Sequence, residues 1–175
     1  MRRLAAAAAL LVVTPAIAQA AEPPCLTPGE FASLAEYALP SMITGATQRC
    51  SGALGANAWL PRNGPQLAQR YAQRRGGAWS GAKAAFLKLS PTINPQADQF
   101  IRDMPDASLQ QLLDPLLAGM VSQQLPLQRC GAVDRLIGLL SPLPAESTAE
   151  LIALGVGLGA KAGRARFGAI TVCAA

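Results

Sequence analysis

The four cysteines restrict the folds open to this chain more than any other feature. Cys25, Cys50, Cys130 and Cys173 are an even number, none belongs to a CxxC pair, and the 175-residue sequence contains no histidine. Isolated thiols without histidine partners make a poor zinc site, so no metal and no cofactor is expected. Disulfides are the better use of such cysteines in a chain that reaches an oxidising compartment. Four cysteines allow three pairings. The expected one is Cys25–Cys50 with Cys130–Cys173, one bridge in each half of the chain. Each bridge would contribute about 3–4 kcal/mol in the chain-entropy account.

The N-terminus gives the reason to expect that compartment. Arg2 and Arg3 precede an uncharged apolar run over residues 4–13, and Ala18-Gln19-Ala20 has the small-x-small form of a signal-peptidase site. Positive charge, apolar core and small-residue site in this order describe a secretory signal peptide. Residues 1–20 would be removed and 21–175 would remain as a single helical domain. The apolar run falls short of the roughly 20 residues a span requires, and no later run is longer, so the chain is not expected to be an integral membrane protein. Glu22-Pro23-Pro24 is not the approach to a lipid-modified cysteine. The Ala-rich composition suggests a bacterial chain exported to the periplasm or the medium. Removing Arg2 and Arg3 from 15 basic residues against 10 acidic ones leaves a surplus of three, too small for a nucleic-acid partner.

Apolar residues recur at helical spacing through most of the chain. Thr27 and Glu30 have capping-box spacing, with Phe31, Leu34, Ala35 and Ala38 as an inner face and Pro40 as the expected end or restart. Leu109, Leu112, Leu113, Leu116, Leu117, Met120 and Val121 form a stripe behind Asp106, a suitable N-cap, and Pro115 predicts a kink or a second helix. Val133, Leu136, Ile137 and Leu140 make another stripe. Segments 64–75, 78–89 and 95–104 have helix-forming composition, and residues 60–65 and 143–147 read as loop and turn. Strand-like composition is confined to AITV near the end. The expected class is therefore all-α, a small disulfide-tied bundle of short helices joined by Pro and Gly turns.

The missing histidine removes the usual serine and cysteine triads. Ser80-Gly81-Ala82-Lys83 fits S-x-x-K and resembles the nucleophile motif of penicillin-binding proteins and serine β-lactamases, in which the Lys takes the Ser proton. Thr92-Ile93-Asn94 and Lys161-Ala162-Gly163 loosely echo that family's other two motifs. The chain is far too short for that fold, and the simpler reading is a solvated Lys83 beside a buried Trp79 and Phe86. Ser80 and Lys83 stand as the catalytic candidates. Asp98, Asp103, Asp106 and Asp114 are close in sequence, but a carboxylate pair would have to be assembled across the fold. Arg70, Arg74 and Arg75 lie near one helix face and are candidates for contact with an anionic surface or an envelope protein.

Gly155, Gly157, Gly159 and Gly163 crowd around Lys161 without meeting the phosphate-loop pattern, because Ala160 and Ala162 occupy its key positions. The stretch reads instead as a helix capped near Ser147 or Thr148. Leu151, Leu154 and Leu158 would form one stripe, and Gly155, Gly159 and Gly163 a close-packing surface. Three functions follow in order of expectation: a non-enzymatic protein binding an envelope partner or surface; a small carrier of apolar ligands or lipid; a histidine-free hydrolase using carboxylates or Ser80 with Lys83.

Overall fold

The computed structural model describes residues 24–161, 166–167 and 170–173. The expected signal segment and Gly163 lie outside the described residues. Among those described, seven α-helices follow one another: α1 (Pro28–Cys50), α2 (Trp59–Ala72), α3 (Trp79–Ile93), α4 (Pro95–Asp103), α5 (Asp106–Gln124), α6 (Cys130–Leu140) and α7 (Ala145–Lys161). Two short strands, β1 (Arg166–Phe167) and β2 (Ile170–Thr171), pair antiparallel with Phe167 opposite Ile170. The protein is thus an all-α, disulfide-tied bundle.

Helix α1 begins as its sequence requires. The Glu30 amide donates to Thr27 Oγ1 at 3.2 Å, the Thr27 amide donates to Glu30 Oε2 at 2.7 Å, and Pro28 occupies the first turn, where its missing N–H costs nothing. The helix does not stop at Pro40 but runs unbroken to Cys50. A helix-interior proline costs about 3 kcal/mol, while each fully buried large apolar side chain contributes about 1.5–3 kcal/mol. Tyr37, Leu39 and Ile43, all buried around Pro40, outweigh it. Pro115 is likewise accommodated inside a continuous α5.

Helices α2, α3, α5 and α7 all pack on α1, which is the axis of the bundle. They come close because small residues stand at the crossings. A Cβ on Gly45 of α1 would collide with the Ala118 carbonyl of α5. One on Gly64 of α2 would collide with Thr47, and one on Gly81 of α3 would meet Ser33 at 2.6–2.7 Å. Helix α7 uses alanines instead: Ala145, Ala149 and Ala153, spaced by four, are buried. Three clusters fill the spaces between, one around Leu39, Ile43, Leu60 and Leu67, one around Phe31, Leu89 and Val172, and one around Tyr37, Leu109 and Leu113.

Several sequence expectations are corrected here. The disulfides are Cys25–Cys173 and Cys50–Cys130, with Cα separations of 5.0 and 5.5 Å, so they staple the halves together. The ends meet because Leu26 bridges to Val172 in parallel, with the Leu26 amide on the Thr171 carbonyl at 2.9 Å and the Cys173 amide on the Leu26 carbonyl at 2.8 Å. Residues 60–65 are not a loop but the start of α2. Pro61 sits in its first turn, where amides have no intrahelical partner, and the Leu60 amide is capped at 2.6 Å by Asp134 of α6. Asp106 is the first residue of α5 rather than its cap, which is Pro105. Helix α7 begins at Ala145, not at Ser147 or Thr148. Its leucine stripe faces outward: Leu151, Leu154 and Leu158 are 49%, 60% and 62% exposed. Gly155 is exposed and a Cβ there would meet nothing within 4 Å, so no described helix packs against it; Gly159 is half-buried.

Gly45→Ala drives a methyl into the Ala118 backbone and lowers the unfolding free energy by about 1–3 kcal/mol. Gly119→Ala, with open space at its Cβ position in α5, raises it by about 0.5–1 kcal/mol. Urea denaturation of the two variants beside the parent measures both signs.

Candidate functional site

Between Tyr37 and Cys50 the exposed residues of α1 are Thr44 and Gln48. They lie three and seven residues beyond Ser41, so the three make one polar line along an otherwise covered helix. That line floors a groove of about 680 Å³ walled by α2 and α5. Pro40, Pro65 and Pro115, one from each helix, project their rings into it, and Gln69 faces it from α2. Thr44 and Thr47 donate their hydroxyls to the carbonyls of Pro40 and Ile43, one turn back in α1.

One end is closed by an ion pair. The Arg75 guanidinium donates to both carboxylate oxygens of Asp114 at 2.5 and 2.7 Å, and Ser41 Oγ donates to the same carboxylate at 3.1 Å. Arg75 Cζ also lies 5.0 Å from the centre of the Tyr37 ring, which in turn packs on Trp79 with centroids 5.0 Å apart. The Asp114 hydrogen bonds hold the Arg75 pKa above its ordinary value. Burial raises the Tyr37 hydroxyl pKa, the Arg75 charge opposes that rise, and the Asp114 charge adds to it. The Tyr37 hydroxyl is buried without a hydrogen-bond partner among the described residues. A second, smaller hollow of about 400 Å³ lies along the outer face of α6, between Arg135, Leu136 and Leu139.

The candidate residues read from sequence do not converge on this groove. Ser80 is exposed, and Lys83 Nζ is bound by Asp106, so Lys83 would have to leave an ion pair to act as a base. Asp106 also accepts from Trp79 Nε1 at 2.8 Å; the Lys83 bond first, then that from Trp79, holds its carboxyl below the ordinary range. Asp98 is engaged by Arg102 and Ser90 and is lowered by them in that order. Asp98, Asp106 and Asp114 are thus each paired with a different cation, and Asp103 accepts from Gln99 Nε2 at 3.1 Å. The three arginines are divided as well: Arg70 donates to the Ser141 carbonyl, Arg75 turns in to Asp114, and Arg74 alone of the three is exposed without such a bond. They form no common anion-binding face, because the inner two are occupied by acceptors from α5 and from the end of α6.

One acidic group stands apart. Glu36 of α1 faces Glu146 and Glu150 of α7, and its carboxyl is raised, first by burial and then by those two charges. Among the described residues no group of acids, cysteines or histidines is arranged to hold a metal. No family model matches the chain, and no curated protein or solved structure is significantly similar to it.

The groove's polar line was missed from sequence, although Ser41, Thr44 and Gln48 at i, i+3 and i+7 are the signal that could have found it. Asp114 carries no local sign of its role, because its partner Arg75 comes from 39 residues away.

Two measurements follow. Asp114→Ala leaves a guanidinium stranded against an aromatic ring and lowers stability by about 1–3 kcal/mol, toward the low end because the paired side chains are 22% and 36% exposed. Glu36 carries the opposite consequence. Its folded pKa is raised, so the folded state holds the proton more tightly, and stability falls as pH rises from the ordinary carboxylate value through the raised one. Glu36→Gln removes this loss: the variant is the more stable at pH 7, and the gap closes as both are titrated to pH 4. Thermal unfolding across that range checks the sign.

Proposed function

We propose that this is a non-enzymatic binding protein of the bacterial periplasm or extracellular space, which recognises a partner protein through an apolar helix face. One observation carries the reading. Leu112, Leu116 and Met120, spaced by four on the outside of α5, are 41–47% exposed. Between Asp106 and Arg129 the only charged residue is Asp114, which Arg75 neutralises. Exposed apolar patches of this kind mark interaction surfaces. The rim is uncharged too, being made of Gln111, Gln123 and Gln124. An anionic bilayer selects cations beside the apolar residues. A protein surface with an apolar centre and amide or hydroxyl groups around it fits this face better.

Export is supported by the signal-like N-terminus together with two formed disulfides, which persist in oxidising compartments. No helix among the described residues is long and apolar enough to cross a membrane. The carrier reading calls for an enclosed hollow, whereas the groove and the α6 hollow both open to solvent. The hydrolase reading calls for two free acids facing each other or a free Lys83, whereas Lys83, Asp98, Asp106 and Asp114 are held in ion pairs and Asp103 accepts from Gln99.

A photo-crosslinking amino acid placed at Leu116, in the protein expressed with its own N-terminus in the source cells, is expected to give a discrete protein adduct. The same probe at exposed Arg62 gives none, and Leu112→Gln with Met120→Gln abolishes the adduct. Adducts at both positions, at neither, or with lipid alone overturn the proposal. N-terminal sequencing of the exported form is expected to start at Ala21.

A further inference from the structure

We infer that the Cys25–Cys173 disulfide is a thiol-exchange site and works as a redox latch. A dithiol reductant opens it, the two flanking segments part, and an apolar cleft between α1, α3 and α7 is uncovered while the helical bundle stays closed. The site lies apart from the α5 face and needs nothing from it. The two disulfides differ in access. Cys50 and Cys130 are 0% and 1% exposed, in one core cluster with Leu60 and Leu67. Cys25 and Cys173 are both partly exposed. Exchange requires a thiolate to reach a sulfur, so the exposed bridge is the labile one and the buried bridge is inert.

The parting is local. Cys25 lies before α1 and Cys173 after β2, so the bridge joins segments outside the helices. Two backbone hydrogen bonds join them, from the Leu26 amide to the Thr171 carbonyl and from the Cys173 amide to the Leu26 carbonyl. Leu26 and Val172, 0% and 2% exposed, pack in one cluster with Phe31 of α1, Ala85 and Leu89 of α3 and Ala153 of α7. Without the bridge, two hydrogen bonds and two side chains have to order both segments against their conformational entropy. A single strand pair of this size does not hold by itself in water. The helices do not share this dependence. Thr27 and Glu30 complete their box within the first turn of α1, and Lys88 of α3 donates to both Glu30 oxygens at 3.1 and 2.8 Å. Helix α7 is held from its own first turn by buried Ala145 and Ala149, and by Thr148 Oγ1 at 3.1 Å from the Tyr71 hydroxyl. Cys50–Cys130 still ties α1 to α6.

The exchange balances in two steps. One thiolate of the dithiol attacks a bridge sulfur, forming a mixed disulfide and releasing the other cysteine as a thiolate, which takes up a proton. The second thiol of the reductant, as its thiolate, attacks the mixed disulfide, closes the reductant's own disulfide and releases the second cysteine. Two electrons and two protons pass from the dithiol to the bridge.

The exported protein, with both disulfides formed, is treated with about 1 mM dithiothreitol near neutral pH, and new thiols are trapped with iodoacetamide and mapped by mass spectrometry. Cys25 and Cys173 are expected to be alkylated at least about 10-fold faster than Cys50 and Cys130. At that stage the amides of Leu26 and Cys173 lose hydrogen-exchange protection by about 10-fold or more, while the helical amides of α1, α3 and α7 keep theirs. The fluorescence of anilinonaphthalene sulfonate rises as the cleft opens. Before alkylation, oxidised glutathione reverses both changes. Equal alkylation of all four cysteines, Cys50–Cys130 opening first, or unchanged protection at Leu26 and Cys173 after selective reduction overturns the inference. Loss of helical circular dichroism on selective reduction does so too, because the bridge is then a structural tie and not a latch.

Discussion

The close approach of four helices to α1 is the constraint on which the rest of the structure depends. A helix surrounded on nearly every side has to offer neighbours a thin surface, and α1 does so with Ala35, Ala38, Ser41, Gly45 and Ala46. Where α1 is not thin the neighbour is, as at Gly64, Gly81 and the alanines of α7. Close packing of small residues gains dispersion contacts between backbones, but it buries little apolar area per residue. The missing stabilisation is supplied by covalent ties. Cys25–Cys173 closes the chain end to end, and Cys50–Cys130 fixes the end of α1 to the start of α6. Loops of 148 and 80 residues remove more unfolded-state entropy than short local ones, roughly 4–5 kcal/mol each in the chain-entropy account.

Local chemistry in this chain was legible where it is self-contained. The Thr27–Glu30 box starts α1 because both hydrogen bonds lie within one turn, and the class follows from periodicity that runs through most of the sequence. Signals that depend on a distant partner were read wrongly. Residues 60–65 looked like a loop because no local side chain caps α2; Asp134 does so from α6. Pro40 looked like a stop because the packing of its neighbours Tyr37, Leu39 and Ile43 against other helices is invisible along the chain. The cysteines were paired with their neighbours because nothing local reports that Leu26 and Val172 lie side by side.

The inverted faces of α5 and α7 have one physical origin. A periodicity argument weights leucine as the core-former and alanine as filler. In a bundle built around a thin axis the weights reverse, because alanine fits the crossing and leucine does not. Helix α7 therefore turns Ala145, Ala149 and Ala153 inward, and its leucines have only the outside left. Helix α5 compromises, with Leu109 and Leu113 inside and Leu112, Leu116 and Met120 outside. The same reversal explains why the groove escaped notice. The uncovered side of α1 carries Ser41, Thr44 and Gln48, which look unremarkable until every other side of the helix is seen to be occupied.

Outward leucines are a hazard in a free monomer, since apolar area left in water invites indiscriminate association. Here the disulfides hold the chain ends together and the end of α1 to the start of α6, the frame against which the inner alanines of α7 pack. On α5 the outward apolar residues Leu112, Leu116 and Met120 stand on a helix whose charged residues are Asp106 at its start and Asp114, which Arg75 neutralises.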